Sequence, residues 1–280
     1  RTGVLAGMFR VRQLTQDDSH VFCRDDQVDD EIRLALSLVR KQYGPFGFEP
    51  RARLATRPEK RLGSDEFWER AENRLRERLE EDGMSYSLDE GGGAFYAPKI
   101  DIFIEDALGR EWQMATIQAD YQLPQRFDLE YRAADGGFER PVVIHYAIYG
   151  SFERFIGILT EQYAGAFPFW LAPVQVMIVP IADRHLEYAS KVRQALADAG
   201  LRAEVDERSE RMQAKLREAQ EQKIPVMVVL GDRDVDAGAV SPRLRTGESS
   251  QGVALDSFVA DLVARNASRE LWPVAADDGA

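Results

Sequence analysis

The sequence predicts two domains of different class: an α+β domain on an antiparallel sheet, then an α/β domain with a largely parallel sheet. Three observations carry this. Between residues 100 and 145, apolar and polar residues alternate in successive runs separated by turn residues, the pattern of an antiparallel meander. Beyond Ala166–Pro173 (AFPFWLAP), continuous apolar stretches at Val174–Ile181 and Val226–Leu230 alternate with helical patterns, as strands covered on both faces do. A length of 280 residues at 44% apolar gives each domain enough material for its own core.

Taken in order, Arg10–Cys23 reads as strand, polar loop, strand. Val28, Ile32, Leu36, Val39 and Tyr43 fall on one helix face. Asp25 and Asp26 stand at its start, where carboxylates favour the helix dipole, and Gly44-Pro45 ends it. Glu49–Thr56 reads as a strand. Ser64-Asp65-Glu66 opens a second helix with Phe67 or Trp68, Ala71, Leu75 and Leu79 on its face, closed by Gly83. The meander follows through Ile100–Ile104, Trp112–Met114–Thr116, Phe127–Leu129–Tyr131 and Pro141–His145. Ser151–Tyr163 is a helix apolar enough to be buried on most sides.

The second domain reads as strand 174–181, helix 186–199, strand 203–205, polar helix 210–222, strand 226–230 and helix 255–264. The boundary is expected near residue 171, giving domains 1–170 and 171–269 and a loose acidic tail over 270–280.

Composition narrows the function. No apolar run approaches the ~18 residues of a membrane span, so no membrane partner is expected. A single cysteine, Cys23, excludes a disulfide framework and any multi-cysteine metal site within these residues. The chain begins Arg-Thr-Gly without a leader pattern, so a truncated start and a cytoplasmic location are the expectation. A net charge of −12 argues, taken globally, against nucleic acid.

Three histidines are present: His20 in a polar knot, His145 at the end of an apolar strand, and His185 at a helix start. By residue type alone, a strand-end His is more often structural than metal-ligating, and two histidines do not complete a zinc site. Gly150-Ser151-Phe152-Glu153-Arg154 leaves two readings open. One is an anion site made of helix N–H groups and a guanidinium; the other is a capped helix with a Glu–Arg surface pair. Gly91-Gly92-Gly93 is too loose for a dinucleotide fingerprint. Arg208, Arg211, Lys215 and Arg217 gather about one helix, which by itself reads as a solvated face.

Several strings, in order, resemble the threonyl-tRNA synthetase family of class II aminoacyl-tRNA synthetases. They are Met8–Arg12 (MFRVR), Thr15–Cys23 (TQDDSHVFC), Thr56–Glu66 (TRPEKRLGSDE), Gly93–Lys99 (GAFYAPK), Gly150–Leu159 (GSFERFIGIL) and Trp170–Val176 (WLAPVQV). The resemblance runs from about Gly3 to Arg269. It implies part of a class II catalytic core, followed by an anticodon-binding domain with a mixed, largely parallel sheet. It implies zinc held by His20 and His145, with a Cys ligand expected upstream, and ATP with Mg2+ as substrate. It puts Gln16, Asp18, Tyr96 and Gln113 at threonine, and Arg10, Gln118 and Arg154 at ATP or the adenylate, Arg10 and Arg154 being the catalytic pair. Ser209, Arg217, Asp234 and Arg243 fall at anticodon-reading positions.

The activity implied is threonine–tRNA ligation, with threonine, ATP and tRNA(Thr) as partners and a homodimer for the full-length enzyme. The fragment alone is expected to be inactive. Tyr146 stands where an Arg is usual and loses a positive charge beside His145; Ala6 stands where a His is frequent. A non-catalytic paralogue that binds tRNA or an amino acid is the alternative. Divided by domain, the charge is −8 over 1–170, −1 over 171–269 and −3 in the tail, so the expected RNA reader is near neutral.

Overall fold

In the computed structural model, residues 5–273 are described. The chain forms two compact units, Arg1–Gln162 and Tyr163–Ala280. The start of the family resemblance at Gly3 and the tail from residue 274 onward lie outside the described residues.

The first unit runs β1 (Ser19–Cys23), α1 (Val28–Tyr43), β2 (Arg51–Ala55), α2 (Asp65–Asp82), β3 (Tyr86–Asp89), β4 (Lys99–Glu105) and β5 (Glu111–Asp120). It continues with α3 (Gln122–Arg126), β6 (Tyr131–Arg132), β7 (Phe138–Glu139), β8 (Val142–Ala147) and α4 (Phe152–Gln162). Six strands form one sheet in the order β1-β8-β5-β4-β2-β3. Every pair is antiparallel except β2 with β3. Helix α1 packs against β5 and β8, and α2 against α1, β2 and β4. Their apolar stripes bury Ile32, Leu36, Trp68, Leu75 and Leu79 together with Ile100, Ile102 and Ile117 of the sheet. Each such side chain contributes about 1.5–3 kcal/mol of burial. Ser64 caps α2 by accepting from the Phe67 N–H at 3.3 Å, and Gly83 closes it at φ 73°.

Four expectations change. The first strand expected from Arg10 reduces to isolated bridges, Ala6 with Arg10 and Gln16 with Ser151. Phe127–Tyr131 is not a strand for most of its length: Asp128 takes φ 54°, which a strand cannot hold, and Phe127 is exposed. The run Trp112–Met114–Thr116 does not keep one face. Asp101 pairs with Thr116 and Phe103 with Gln113, so Met114 and Ala115 together oppose Ile102 in a β-bulge. Helix α4 is buried along one side only, through Phe155, Gly157, Ile158 and Leu159, while Ile156 and Thr160 are exposed.

The second unit runs β9 (Val176–Pro180), α5 (Leu186–Asp198), β10 (Ala203–Val205), α6 (Met212–Glu221), β11 (Val226–Leu230), α7 (Asp232–Ala237), β12 (Ala239–Leu244), β13 (Val253–Ala254) and α8 (Leu255–Ser268). The sheet is mixed, in the order β10-β9-β11-β12-β13, with β10-β9-β11 parallel and the β12 pairings antiparallel. One side carries Val176, Ile178, Val226 and Val228 against α5 and α8 residues such as Val192, Leu196, Phe258 and Leu262. The other carries Val179 and Met227 against Leu216 and Ala219 of α6. Phe169 is buried in the first of these cores, and Trp272, within the stretch expected as tail, packs beside it. An indole this large stays with apolar surface when it is in reach. Arg245 clamps this end, donating to the Phe167, Lys223 and Pro273 carbonyls.

Gly150 sits at φ 66°, and a Cβ there would lie 2.4 Å from the Met114 carbonyl oxygen. Gly136 has a similar φ of 87° with open space around it. In urea unfolding, Gly136→Ala is expected to cost about 1 kcal/mol from φ alone, and Gly150→Ala at least about 2–3 kcal/mol because backbone must also move. Equal costs at the two sites would contradict the close approach. The Cys23 thiol is buried, which together with nearby Glu31 raises it from 9.0 to about 11. The folded state therefore keeps this proton where the unfolded chain releases it, so stability falls as pH rises from about 9 to about 11. Cys23→Ala should flatten that fall, and alkylation of the native thiol should be slow until the protein unfolds.

Candidate functional site

Cross-strand partners in an antiparallel pair project to the same face of the sheet. His20 of β1 is paired with His145 of β8, and His145 in turn with Gln118 of β5. Gln118 is paired with Lys99, and Thr116 with Asp101, of β4. One face of the sheet therefore carries His20, His145, Gln118, Lys99, Thr116 and Asp101 in a band crossing four strands. Asp120, two residues beyond Gln118, shares that face. Sequence spacing could not show this, because the six residues come from four separate segments.

The two imidazoles stand edge to face with ring centres 4.6 Å apart. Two ring nitrogens bound to one tetrahedral cation at ~2.0–2.1 Å would put ring centres about 5 Å apart. The pair thus fits as two donors of a metal site. Among the described residues, no group of three His, Cys, Asp or Glu side chains converges on one point. Cys23 does not join them: three residues along β1 from His20, it points to the opposite face and is buried.

Around the histidines, Tyr96 donates its hydroxyl to Gln118 Oε1 at 3.1 Å, with its ring 5.9 Å from that of His145. Burial raises the Tyr96 phenol, and the charges of Asp120 and Asp18 add to the shift. Tyr96 therefore stays protonated, a donor for whatever binds beside it. Asp18 and Gln16 are exposed. Between them, Asp17 turns inward and accepts the N–H groups of Ile148, Tyr149 and Gly150 at 2.7–3.2 Å. That cap was missed in the sequence, where Asp17 and Asp18 are indistinguishable. Gln113, re-aimed by the bulge, donates to Asp101 Oδ1 at 2.7 Å and Thr116 Oγ1 at 3.1 Å. Asp101 also pairs with Lys99.

Arg154 opens α4. Its Nε donates to the Phe9 carbonyl and its Nη1 to the Gln113 carbonyl, each at 2.9 Å, and its guanidinium lies 5.4 Å from the Trp112 ring centre. The Glu–Arg surface pair does not form. Glu153 instead accepts from the Thr15 N–H and Ser151 Oγ. Burial, and then the like charge of Arg10, lower the Arg154 guanidinium. The positive charge of Arg10 is thus close enough to be felt at Arg154, an arrangement that suits a bound polyanion. The structure brings His20, His145, Tyr96 and Gln118 to one another, and puts Arg10 within electrostatic reach of Arg154. Among the described residues, no hydrogen bond, ion pair or ring contact joins Arg10 or Arg154 to His20 or His145.

In the second unit, Ser241 and Arg243 of β12 are paired with Val229 and Met227, so they project to the face covered by α6. Asp234 joins them, accepting from Ser241 Oγ at 2.7 Å and the Gly231 N–H at 3.0 Å. Ser209 is exposed just before α6, beside Arg208 and Arg211 in an open cleft, and Arg217 is exposed on α6. Ser209 and Arg217 therefore lie just before and on α6, Arg243 projects to the sheet face that α6 covers, and Asp234 bonds Ser241 of that face. Of the other basic residues, Lys215 is buried and donates to the Asp206 carbonyl, and Arg208 is paired with Asp206 and Glu218. Arg243 Nε is buried without a partner. Asp234, by contrast, already has both carboxylate oxygens engaged.

Residues 2–163 match the tRNA synthetase class II core domain (G, H, P, S and T), and residues 175–265 an anticodon binding domain. The threonine–tRNA ligase of Sulfurihydrogenibium sp. (strain YO3AOP1) is 51% identical over 263 residues, 94% of this chain and 41% of that protein. That of Nitratidesulfovibrio vulgaris (strain DP4) is 53% identical over 259 residues, 92% of this chain and 40% of that protein. The chain thus spans about two-fifths of the length of these curated relatives. The crystal structure of the RNA binding domain of threonyl-tRNA synthetase from Cryptosporidium parvum Iowa II superposes with a TM-score of 0.88 at 38% identity, over 97% of this chain and 68% of that one. The putative threonyl-tRNA synthetase ThrRS-1 of Aeropyrum pernix gives 0.73 at 28% identity, over 99% and 69%. With a class II core and an anticodon-binding domain in this order, the chain belongs to the threonyl-tRNA synthetase family.

Proposed function

We propose that this chain is the threonine-binding and anticodon-reading part of a threonine–tRNA ligase, which activates threonine with ATP and transfers it to the terminal ribose of tRNA(Thr). The observation that carries the reading is the His20–His145 pair, set on the sheet face with Tyr96 and Gln118 beside it. In this reading His20 and His145 hold zinc. Bound there, zinc would take the amine and hydroxyl of threonine together, which isosteric valine cannot match. Asp18 accepts from the threonine hydroxyl, while Gln16, Gln113 and Tyr96 shape the pocket.

Class II synthetases use ATP with Mg2+. Arg10 and Arg154 meet its phosphates and stabilise the charge that develops as the adenylate forms. Gln118, its Oε1 fixed by the Tyr96 hydroxyl, presents its amide to the nucleotide or adenylate. Residues 171–269 are the anticodon-binding domain, with Ser209, Arg217, Asp234 and Arg243 at the unstacked bases. Asp234 would accept from a base only alongside, or in exchange for, its present partners. A homodimer and a cytoplasmic location belong to the same proposal; among the described residues no helix is long and apolar enough to cross a membrane.

The paralogue alternative rests on Tyr146 and on catalytic elements that the family carries upstream of these residues. Tyr146 is paired with Ser19 and Ile117 and projects to the sheet face opposite His145, so the missing arginine removes no charge from the histidine face. Nothing else in the geometry favours a non-catalytic role.

In the complete ligase, Arg154→Ala should lower threonine-dependent pyrophosphate exchange about 10²–10³-fold. Exchange at the wild-type rate would refute its role at the phosphates. Arg217→Ala should weaken tRNA(Thr) binding about ten-fold, ~1.4 kcal/mol, with threonine activation measured in parallel. A loss confined to activation would refute the anticodon role.

A further inference from the structure

Asp120 ends β5 and is fully buried, at 0% exposure. Its Oδ1 accepts the N–H groups of Gln122 at 2.8 Å and Leu123 at 3.0 Å, and its Oδ2 lies 3.0 Å from His145 Nε2. The two backbone bonds fix the plane of the carboxylate, so the oxygen turned to the imidazole cannot swing away. Burying a carboxylate costs several kcal/mol unless it is paired. Glu72, Asp101, Asp106 and Asp206, also buried, each hold an arginine or lysine. Asp234 has no such partner but sits on its own helix N-terminus beside Ser241. Among the described ionisable side chains, Asp120 is paired with the imidazole alone.

We propose that Asp120 is the positioning residue for His145: it fixes the ring proton on Nε2 and leaves Nδ1 as the nitrogen that binds the metal. This rests on the reading of His20 and His145 as a zinc pair. A carboxylate only accepts, so the ring nitrogen facing it carries the hydrogen. In the neutral ring the lone pair is then on Nδ1, and no protein group among the described residues bonds that atom. A cation at Nδ1 would supply, through the ring, the positive partner that the buried carboxylate otherwise lacks. Carboxylate-backed histidines of this kind are stiffer and more basic ligands than free ones.

The test is Asp120→Asn. The two backbone N–H groups admit only an oxygen on their side, so the amide nitrogen must face His145 Nε2. The ring would then have to accept at Nε2 and carry its hydrogen on Nδ1. Nitrogen-15 spectra of the 280-residue chain report the tautomer without any metal, and amide spectra check that the fold persists. Zinc ion alone is then titrated in. The expected result is Nε2–H in the wild type, with zinc shifting Nδ1 of His145. In the variant, Nδ1–H is expected, with about 10–100-fold more zinc needed. Asp120→Ser, which keeps an acceptor for the N–H groups but none for the ring, should give mixed tautomers and an intermediate zinc requirement. The proposal is overturned if Asp120→Asn keeps Nε2–H, if zinc binds that variant as it does the wild type, or if wild-type zinc resides on Nε2. Should the tautomer switch as expected while wild-type His20 and His145 take no zinc, the zinc reading fails and the metal role of Nδ1 falls with it.

Discussion

The register of β8 between β1 and β5 is the constraint from which the site follows. His145 meets His20 on one side and Gln118 on the other because both pairings are antiparallel and fixed to the residue. Side chains alternate with a period of two, so a slip of one residue would turn His145 into the helix-covered face and bring Ile144 or Tyr146 to the site. The apolar set on that covered face, Ile117, Ala119, Val142 and Ile144 beneath α1, is what forbids the slip. Packing on one side of the sheet thereby fixes chemistry on the other. The Asp17 carboxylate adds a second restraint, tying the segment before β1 to the backbone that follows β8.

The helices were legible because their stripes are long and their ends carry strong signals. Val28–Tyr43 falls where periodicity puts it, although Asp25 and Asp26 form a 3-10 turn ahead of it and Gln27 precedes it without a side-chain cap. The Ser64-to-Gly83 helix has both its stripe and its cap in the expected places. Strand pairing was not legible. The parallel partner β3 carries too few apolar residues to announce itself, and the short helix α7 follows β11 with only Gly231 between. The bulge opposite Ile102 reverses the apparent alternation of β5, which counting along the sequence reads as one unbroken face. Turn chemistry explains the false strand at Phe127, where Asp120 starts α3 and Asp128 leaves the extended region.

The site residues divide in the same way. His20, His145 and Arg154 could be singled out by type and position, but alone they carried no more weight for function than for structure. Geometry adds what the string lacks: the two imidazoles face each other, and Arg154 declines its neighbouring glutamate. The acids behind the site, Asp17, Asp101 and Asp120, left no readable signal, because each acts on groups far away in sequence. On the second unit, the basic cluster around α6 proved to be of two kinds. Lys215 and Arg208 serve the fold; Arg217 pairs through Nε with Glu221 alone on an exposed helix face, and Arg243 keeps a buried Nε without a partner among the described residues.

The adjacent acids Asp17 and Asp18 show how little room this arrangement leaves for drift. One carboxylate is consumed inward by three backbone amides, and its neighbour is left outward and uncommitted. They carry the same charge and the same atoms, yet they occupy different offices, assigned by direction alone. Inserting one residue between Asp18 and Ser19 would set Asp18 where Asp17 now stands relative to β1 and leave the outward position without its carboxylate. The loop can therefore tolerate substitution at its exposed positions far better than it can tolerate any change in length.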